Sequence, residues 1–218
     1  MDQPIGIFPL QLVLFPEAAY PLHIFETRYR ALVADSIEQD RPFGINLVDR
    51  GSIFDVGCTV KVTRVTREYP DGRRDIVVEG IARYRIEQME RGPAGYLIGT
   101  VAPVRDEAED PDEMLARTAV ERFNELVDAV YGAATLPLDE TDWKHRVVSF
   151  RIAQKSGIEL VARQKLLEMT SENNRLAALC DHLDRILPKV RAIDQIRKIS
   201  RNDGYLPGSS SEPPSDSR

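Results

Sequence analysis

The stretch from Phe8 to Arg30 constrains the fold of this chain more than any other. Two Phe-Pro pairs, Phe8-Pro9 and Phe15-Pro16, flank an apolar segment of strand length, Leu10 to Leu14. Proline fixes its own φ and biases the preceding residue towards extended conformations. The pairs therefore predict a rigid path that runs from a strand through a loop into a second strand.

A helix is predicted directly after this path. Apolar side chains recur over residues 25–39 at the spacing of one helical face: Phe25, Tyr29, Leu32, Val33 and Ile37. Asp40-Arg41-Pro42 would end the helix, because the residue before a proline avoids the helical region. We expect Phe25 and Tyr29 to anchor the helix across the β-structure, so that Phe25→Ala would lower the free energy of unfolding by roughly 3–5 kcal/mol.

Residues 43–104 have the pattern of β-strands. Apolar residues alternate with polar or small ones from Val56 to Val62, which is typical of a half-buried strand. Tyr69-Pro70-Asp71-Gly72 is a turn sequence, so residues 58–79 form a predicted hairpin. Gly80 predicts a bulge or a sharp bend. Further strands are predicted at 43–48, 81–86 and 96–104.

From residue 105 onwards the pattern is helical only. Asp110 is the predicted N-cap of the first helix, with Pro111 at its first position and Gly132 at its end. Thr170 or Ser171 is the predicted cap of a later helix, which Pro188 ends or kinks. The other predicted helices cover 141–155, 159–169 and 189–201. This order predicts an α+β fold, with a β-domain over 1–106, a helical bundle over 107–201 and a disordered tail over 202–218.

The composition argues against several classes of protein. The formal net charge of −6 is unlike that of a general nucleic-acid binder, which carries a strongly basic face. Only two cysteines occur, Cys58 and Cys180, and they form no visible disulfide framework. No run approaches the roughly 20 apolar residues of a membrane span, and the N-terminus lacks the pattern of a signal peptide. We expect a reduced, cytoplasmic protein that binds neither nucleic acid nor membrane.

The histidines and cysteines do not combine into a predicted catalytic site. His23 has only Glu26 as a local carboxylate, whereas a catalytic base also needs a nucleophile. Cys180 and His182 stand two residues apart on a predicted helix, so their side chains point to different faces. We expect His23 to be structural, and we expect both thiols to be buried and inert.

Two further features are expected to be structural. Lys155-Ser156 are neighbours at a helix end and lack the geometry of a Ser-Lys dyad, and His145 has no second ligand at metal spacing. The segment Lys189 to Arg201 is mildly basic and could touch an acidic partner, a membrane surface or nucleic acid. A solvated helix face is the interpretation we favour. The sequence therefore predicts no catalytic, cofactor-binding or metal-binding residue.

Several residues, taken in chain order, resemble the signature of the Lon N-terminal (substrate-binding) domain. The opening stretch supplies most of them: Phe8, Pro9, Leu10, Leu14, Phe15, Pro16, Pro21, Leu22, His23, Ile24, Phe25, Glu26, Arg28 and Tyr29. The others are Phe43-Gly44, Val56-Gly57-Cys58, Tyr69-Pro70-Asp71-Gly72-Arg73, Glu79-Gly80 with Arg83 and Arg85, Gln164-Lys165-Leu166-Leu167-Glu168 and Arg175-Leu176. The resemblance covers residues 4–187.

The resemblance implies both a fold and a role. The fold would be α+β, with a PUA-like β pseudobarrel that carries one inserted helix, followed by a C-terminal helical bundle. In Lon proteases this module contacts protein substrates and aids assembly, ahead of an AAA+ motor and a Ser-Lys peptidase. This chain contains no G-x-x-x-x-G-K-[ST] phosphate loop, so it resembles the stand-alone bacterial Lon-domain proteins.

We therefore predict a non-catalytic module that binds exposed or unfolded polypeptide segments and needs no cofactor. The alternative is a self-associating assembly or adaptor factor for a protease or another complex, which would form a homo-oligomer. The motif residues themselves are expected to be structural: Phe8, Pro9, Phe15, Pro16, Pro21, Phe25, Glu26, Arg28, Tyr29, Gly57, Asp71, Gly72, Gly80 and Arg83.

Overall fold

The computed structural model describes residues 4–131, 137–139 and 147–202. Strands and one early helix come first along the chain, and helices follow. The strands are β1 (Ile5–Leu10), β2 (Ala19–Ile24), β3 (Phe43–Asp49), β4 (Ser52–Glu68), β5 (Arg74–Arg91) and β6 (Leu97–Pro103). The helices are α1 (Thr27–Glu38), α2 (Glu113–Tyr131), α3 (Val148–Lys155), α4 (Leu160–Glu168) and α5 (Glu172–Asn202).

The strands form one mixed sheet that closes on itself. Their order is β2-β5-β4-β3-β1-β6, and β6 also pairs with β5. β1 and β3 are parallel, and the other neighbours are antiparallel. The long strand β5 pairs with two strands along the same edge. Its residues 74–79 pair with β2, and its residues 84–91 pair with β6. The predicted α+β fold is confirmed.

The predicted hairpin is confirmed as β4 and β5, and the predicted irregularity at Gly80 is a β-bulge. Ile81 is an extra residue on β5 between two paired positions, Thr59–Ala82 and Val60–Gly80. The bulge leaves the side chain of Ile81 46% exposed. It also brings β5 close to the loop that precedes β2.

Gly80 permits this close approach. Its N–H donates to the carbonyl oxygen of Ala18 at 3.0 Å, and its own carbonyl oxygen accepts the N–H of Glu17 at 2.9 Å. A Cβ at residue 80 would overlap the backbone carbonyl oxygen of Phe15, which cannot move aside as a flexible side chain could. Only glycine therefore lets the loop lie against the strand here.

The opening stretch departs from its predicted path. β1 ends at Leu10, so the apolar segment up to Leu14 is a loop and not a strand. The side chains of Val13, Leu14 and Phe15 are nevertheless buried. They are buried because the loop fills space between the sheet and the helices, where the ring of Phe15 stacks on that of Phe150 at 5.3 Å.

The prediction that Phe25 anchors α1 is wrong. Its side chain is 60% exposed. The helix begins only at Thr27, and Glu26 before it keeps an extended backbone, so Phe25 lies outside the helical period. Its ring stacks instead on the ring of His23, with a centroid distance of 6.0 Å.

The rest of the predicted α1 face is confirmed except at its end. Tyr29, Leu32 and Val33 are buried, and the ring of Tyr29 stacks on that of Phe8 at 3.9 Å. From Tyr29 onwards the 3.6-residue period brings Ser36 to the buried face, so the predicted Ile37 is exposed.

The helix α2 also begins later than predicted. α2 starts at Glu113, and its N-cap is Asp112, whose Oδ1 accepts the N–H of Leu115 at 3.0 Å. The predicted cap, Asp110, lies outside the helix. Its backbone carbonyl accepts a hydrogen bond from Asn173 Nδ2 at 3.3 Å, which ties this segment to the start of α5.

α5 is capped as predicted but does not end at Pro188. Ser171 Oγ accepts the N–H of Asn174 at 3.1 Å. Pro188 lies inside the helix. Ion pairs with α2 flank it on both sides, Arg122–Asp184 at 2.7 Å and Glu125–Arg191. Leu183 and Leu187 of α5 are also buried in the apolar cluster that includes α2, and this packing offsets the backbone hydrogen bond that proline removes.

Several predictions fall outside the described residues. These are the helix end at Gly132, the first part of the helix over 141–155 with Trp143 and His145, and the tail beyond residue 202. No helix in the described ranges has the length and apolar character that crossing a membrane requires.

Candidate functional site

Arg83, one of the motif residues, joins the sheet to the helices. It lies on β5 with its side chain 3% exposed. Its Nη1 donates to the carbonyl oxygens of Leu167 at 2.8 Å and Met169 at 2.6 Å, and its Nη2 donates to Asp106. The guanidinium therefore satisfies backbone groups at the end of α4 that have no partner within the helix.

Arg175 on α5 meets the same carboxylate from the helical side. Its buried guanidinium donates to both oxygens of Asp106, at 2.7 and 3.0 Å, and to Glu172 Oε2 at 2.6 Å. It also lies 4.4 Å from the ring centroid of Phe150. Burial lowers the pKa of Arg175, but the bonds to Asp106 and Glu172 outweigh it, so the pKa is raised overall. We call Arg83, Asp106, Glu172 and Arg175 the joint.

A second cluster lies on the hairpin and β2. His23 and Asp75 are cross-strand partners, and His23 Nδ1 lies 2.5 Å from Asp75 Oδ1. The Tyr69 hydroxyl donates to the other oxygen, Asp75 Oδ2, at 2.8 Å. The bonds from His23 and then Tyr69 hold the pKa of the Asp75 carboxyl below its usual range. This arrangement orients an exposed histidine, but the described contacts bring no serine, threonine or cysteine to its ring.

Glu26 forms an ion pair with its near neighbour Arg28. It accepts from Arg28 Nε at 3.0 Å and Nη2 at 2.8 Å. The other motif residues lie in the β-layer and its turns: Pro9 on β1, Pro16 in the loop after it, Pro21 on β2, Gly57 on β4, and Asp71 and Gly72 in the hairpin turn.

Neither cysteine has the environment of a nucleophile. Both are buried and free. Burial raises the pKa of the Cys58 thiol to about 12 and also raises that of Cys180. His182 Nε2 lies 2.9 Å from the carbonyl oxygen of Ser156, and the Ser156 hydroxyl donates to Ile152 O at 2.6 Å. In these contacts the partners of the His182 ring and of the Ser156 hydroxyl are backbone carbonyl oxygens.

The part of the chain that the structure describes contains no candidate metal-binding site. No group of three or more His, Cys, Asp or Glu side chains there could hold an ion.

A cleft of about 610 Å³ opens between α1 and the β-layer. Its walls are mainly apolar, and they include Ile5, Leu32, Phe43, Ile81, Tyr96 and Val101. Its volume lies within the range of roughly 300–1,000 Å³ that is usual for binding pockets. The exposed bulge residue Ile81 offers an apolar side chain to anything that enters the cleft.

The polar groups of the cleft are few. The Tyr96 hydroxyl donates to Asp35 Oδ2 at 2.9 Å. Burial and this bond raise the pKa of the Tyr96 hydroxyl, so it stays protonated at neutral pH. Arg41 and Arg105 also line the cleft. Of the residues that carry the family resemblance, Phe43 and Arg83 are two that line the cleft, and neither was predicted to bind a ligand. The signal that could have found the cleft is Ile81, an apolar residue placed at a predicted bulge.

Comparisons with known proteins agree with this architecture. The family model described as ATP-dependent protease La (LON) substrate-binding domain matches residues 5–185. Lon protease 2 of Syntrophobacter fumaroxidans is 24% identical in an alignment of 214 residues that covers 90% of this chain and 26% of that protein. The chain therefore spans about a quarter of the length of this curated relative.

Two solved structures have the same fold. The crystal structure of a Lon N-terminal domain protein from Xanthomonas campestris is 27% identical, with a TM-score of 0.62, and the match covers 81% of this chain and 96% of that one. The N-terminal domain of a Mycobacterium avium complex Lon protease is 20% identical, with a TM-score of 0.61 and coverages of 84% and 98%. With the family model spanning strands and helices alike, this chain belongs to the Lon substrate-binding domain family.

Proposed function

We propose that this chain is a non-catalytic module that binds exposed or unfolded polypeptide segments in the cleft between α1 and the β-layer. The observation that carries the proposal is the cleft itself, which is open, mainly apolar and about 610 Å³ in volume. An open apolar cleft binds side chains with affinity but with loose sequence preference, as a substrate-recognition surface requires. The membership in a substrate-binding domain family supports the same role.

The contacts of the other clusters also support a binding role over a catalytic one. The arginines of the joint are committed to carboxylates and backbone carbonyls that hold the fold. The oriented histidine, His23, has a carboxylate partner but no adjacent nucleophile among the described contacts. The cleft is therefore the feature with side chains left to contact a ligand.

Ile81→Asp is expected to weaken the binding of unfolded polypeptide by about tenfold or more. Burying an isoleucine side chain is worth roughly 1.5–3 kcal/mol, and about 1.4 kcal/mol is a tenfold change in affinity. Because Ile81 is 46% exposed in the free chain, the fold should tolerate the change. The measurement is fluorescence anisotropy with a labelled, permanently unfolded protein such as carboxymethylated α-lactalbumin.

Val161→Asp is the matched control for this test. Val161 is also β-branched and 46% exposed, but it lies on α4 away from the cleft. Its substitution should leave binding within about twofold of the parent chain. Equal losses for the two variants would move the binding surface elsewhere, and a parent chain that binds no unfolded protein would remove the proposal.

Self-association is a second candidate, and one observation favours it. Ile193 and Ile196 lie on the same side of α5, three residues apart, and are 52% and 63% exposed. If this face joins two copies, sedimentation equilibrium should show a dimer that Ile196→Asp converts to monomer. A parent chain that sediments as a monomer at tens of micromolar would remove this alternative.

A further inference from the structure

Positively charged side chains outnumber negatively charged ones in the lining of the cleft. Asp35 is the acidic residue of the lining, and its carboxylate already accepts the Tyr96 hydroxyl. Three arginines line the cleft, Arg41, Arg83 and Arg105. The guanidinium of Arg83 is engaged by the joint.

Arg41 and Arg105 are different from Arg83. Neither makes an ion pair with another residue of the described part of the chain. The whole chain carries a formal charge of −6, so the positive charge at the cleft is local and runs against the overall balance. Two cations beside apolar walls attract an apolar ligand that also carries negative charge.

Backbone hydrogen bonds anchor Arg41 itself and the residue before Arg105. Arg41 follows α1, where its N–H donates to Ser36 O at 3.0 Å and its carbonyl oxygen accepts the Ser36 hydroxyl at 2.6 Å. Arg105 follows β6, directly after Val104, whose N–H donates to Arg83 O at 3.1 Å. Arg41 is thus fixed by its own backbone bonds, and Arg105 lies one residue beyond an anchored position at the cleft.

We infer that the cleft selects apolar polypeptide segments that carry a carboxylate, with Arg41 and Arg105 as the residues that recognise it. This inference rests on the proposed function and names its substrate class. The apolar walls provide affinity for the side chains of the segment, and the two guanidiniums discriminate between segments by charge. The carboxylate can come from an acidic side chain or from the C-terminus of a polypeptide.

Short fluorescein-labelled peptides with one shared apolar core test this inference by anisotropy. Three peptides carry flanking Glu, Gln or Lys residues and a C-terminal amide, and a fourth carries Gln flanks and a free C-terminal carboxylate. The Glu peptide should bind about fivefold to thirtyfold more tightly than the Gln peptide, and the Lys peptide should bind most weakly. The fourth peptide shows whether a C-terminal carboxylate serves as well as a side chain. The differences should shrink as salt is raised.

Charge-neutralising variants assign the preference to residues. Arg41→Gln with Arg105→Gln should weaken the binding of the Glu peptide and bring the Glu and Gln peptides within about twofold of each other. Arg64→Gln is the control, because Arg64 is an exposed arginine on β4 that does not line the cleft. It should preserve the full preference.

The outcomes separate the two proposals. Equal affinities for the Glu, Gln and Lys peptides on the parent chain would overturn the charge preference and leave the proposed function standing. Absence of binding by all four peptides and by unfolded protein would overturn both. Displacement of the Glu peptide by single-stranded RNA at concentrations below those at which the peptide binds would make the cleft a nucleic-acid site and would also overturn the inference.

Discussion

Phe15→Ala is expected to lower the free energy of unfolding by about 3–5 kcal/mol. The ring is fully buried in the apolar cluster shared by the sheet and the helices, and it stacks on Phe150 at 5.3 Å. Alanine would leave a cavity that the neighbours cannot fill, because the backbone of residue 15 is fixed against Gly80. The measurement is denaturant unfolding followed by circular dichroism.

Phe25→Ala is the matched control, since it makes the same chemical change in the same stretch. With a side chain that is 60% exposed, Phe25 should contribute less than about 0.5 kcal/mol. The contrast between the two variants tests whether Phe15 is the buried ring of this stretch and Phe25 the exposed one. A large loss for Phe25→Ala together with a small loss for Phe15→Ala would show that the stretch packs in the opposite way.

Arg175→Met should destabilise the fold by a similar amount, about 3–5 kcal/mol. The methionine fills much of the space but leaves Glu172, itself 4% exposed, as a buried carboxylate without its cation. Asp106 loses two hydrogen bonds in the same step. Thermal melting and denaturant unfolding both report the loss.

Two further variants locate the cause of this loss. Adding Glu172→Gln to Arg175→Met should recover part of the stability, because it removes the stranded charge. Arg191→Met removes an exposed arginine that pairs with Glu125, and the unfolding midpoint should not change measurably. If Arg175→Met behaved like Arg191→Met, the joint would not stabilise the fold.

The sequence was sufficient to predict the elements whose periodicity and turn chemistry agree. The hairpin was predicted from alternating valines and the turn at Tyr69–Gly72, and the bulge was predicted from Gly80. Phe25 was predicted wrongly because its spacing fits the α1 stripe, whereas the extended backbone at Glu26 excludes it from the helix. Such a two-residue error in a helix start cannot be seen in periodicity alone.

The joint and the cleft were harder to predict, because they depend on residues far apart in the chain. Arg83 and Arg175 both belong to the family motif, but nothing in the sequence pairs them with Asp106, and only the fold brings all three together. The cleft is formed by α1, β1, β5 and β6 together, so no single segment carries its pattern. Its one local signal is Ile81, and the position of the bulge is needed to recognise that this apolar side chain is exposed.

The shared carboxylate of Asp106 determines which part of this chain could be moved into another protein, by recombination or in a fusion, and still fold. Asp106 is the last residue of the predicted β-domain, yet it neutralises one arginine from the sheet and one from α5. Separating the chain after this residue would take one of the two carboxylate partners of Arg175 away with the sheet and would uncover the backbone carbonyls that Arg83 satisfies. The sheet and the helices therefore depend on each other, and a fusion or recombination event would preserve the fold only if it transferred both together.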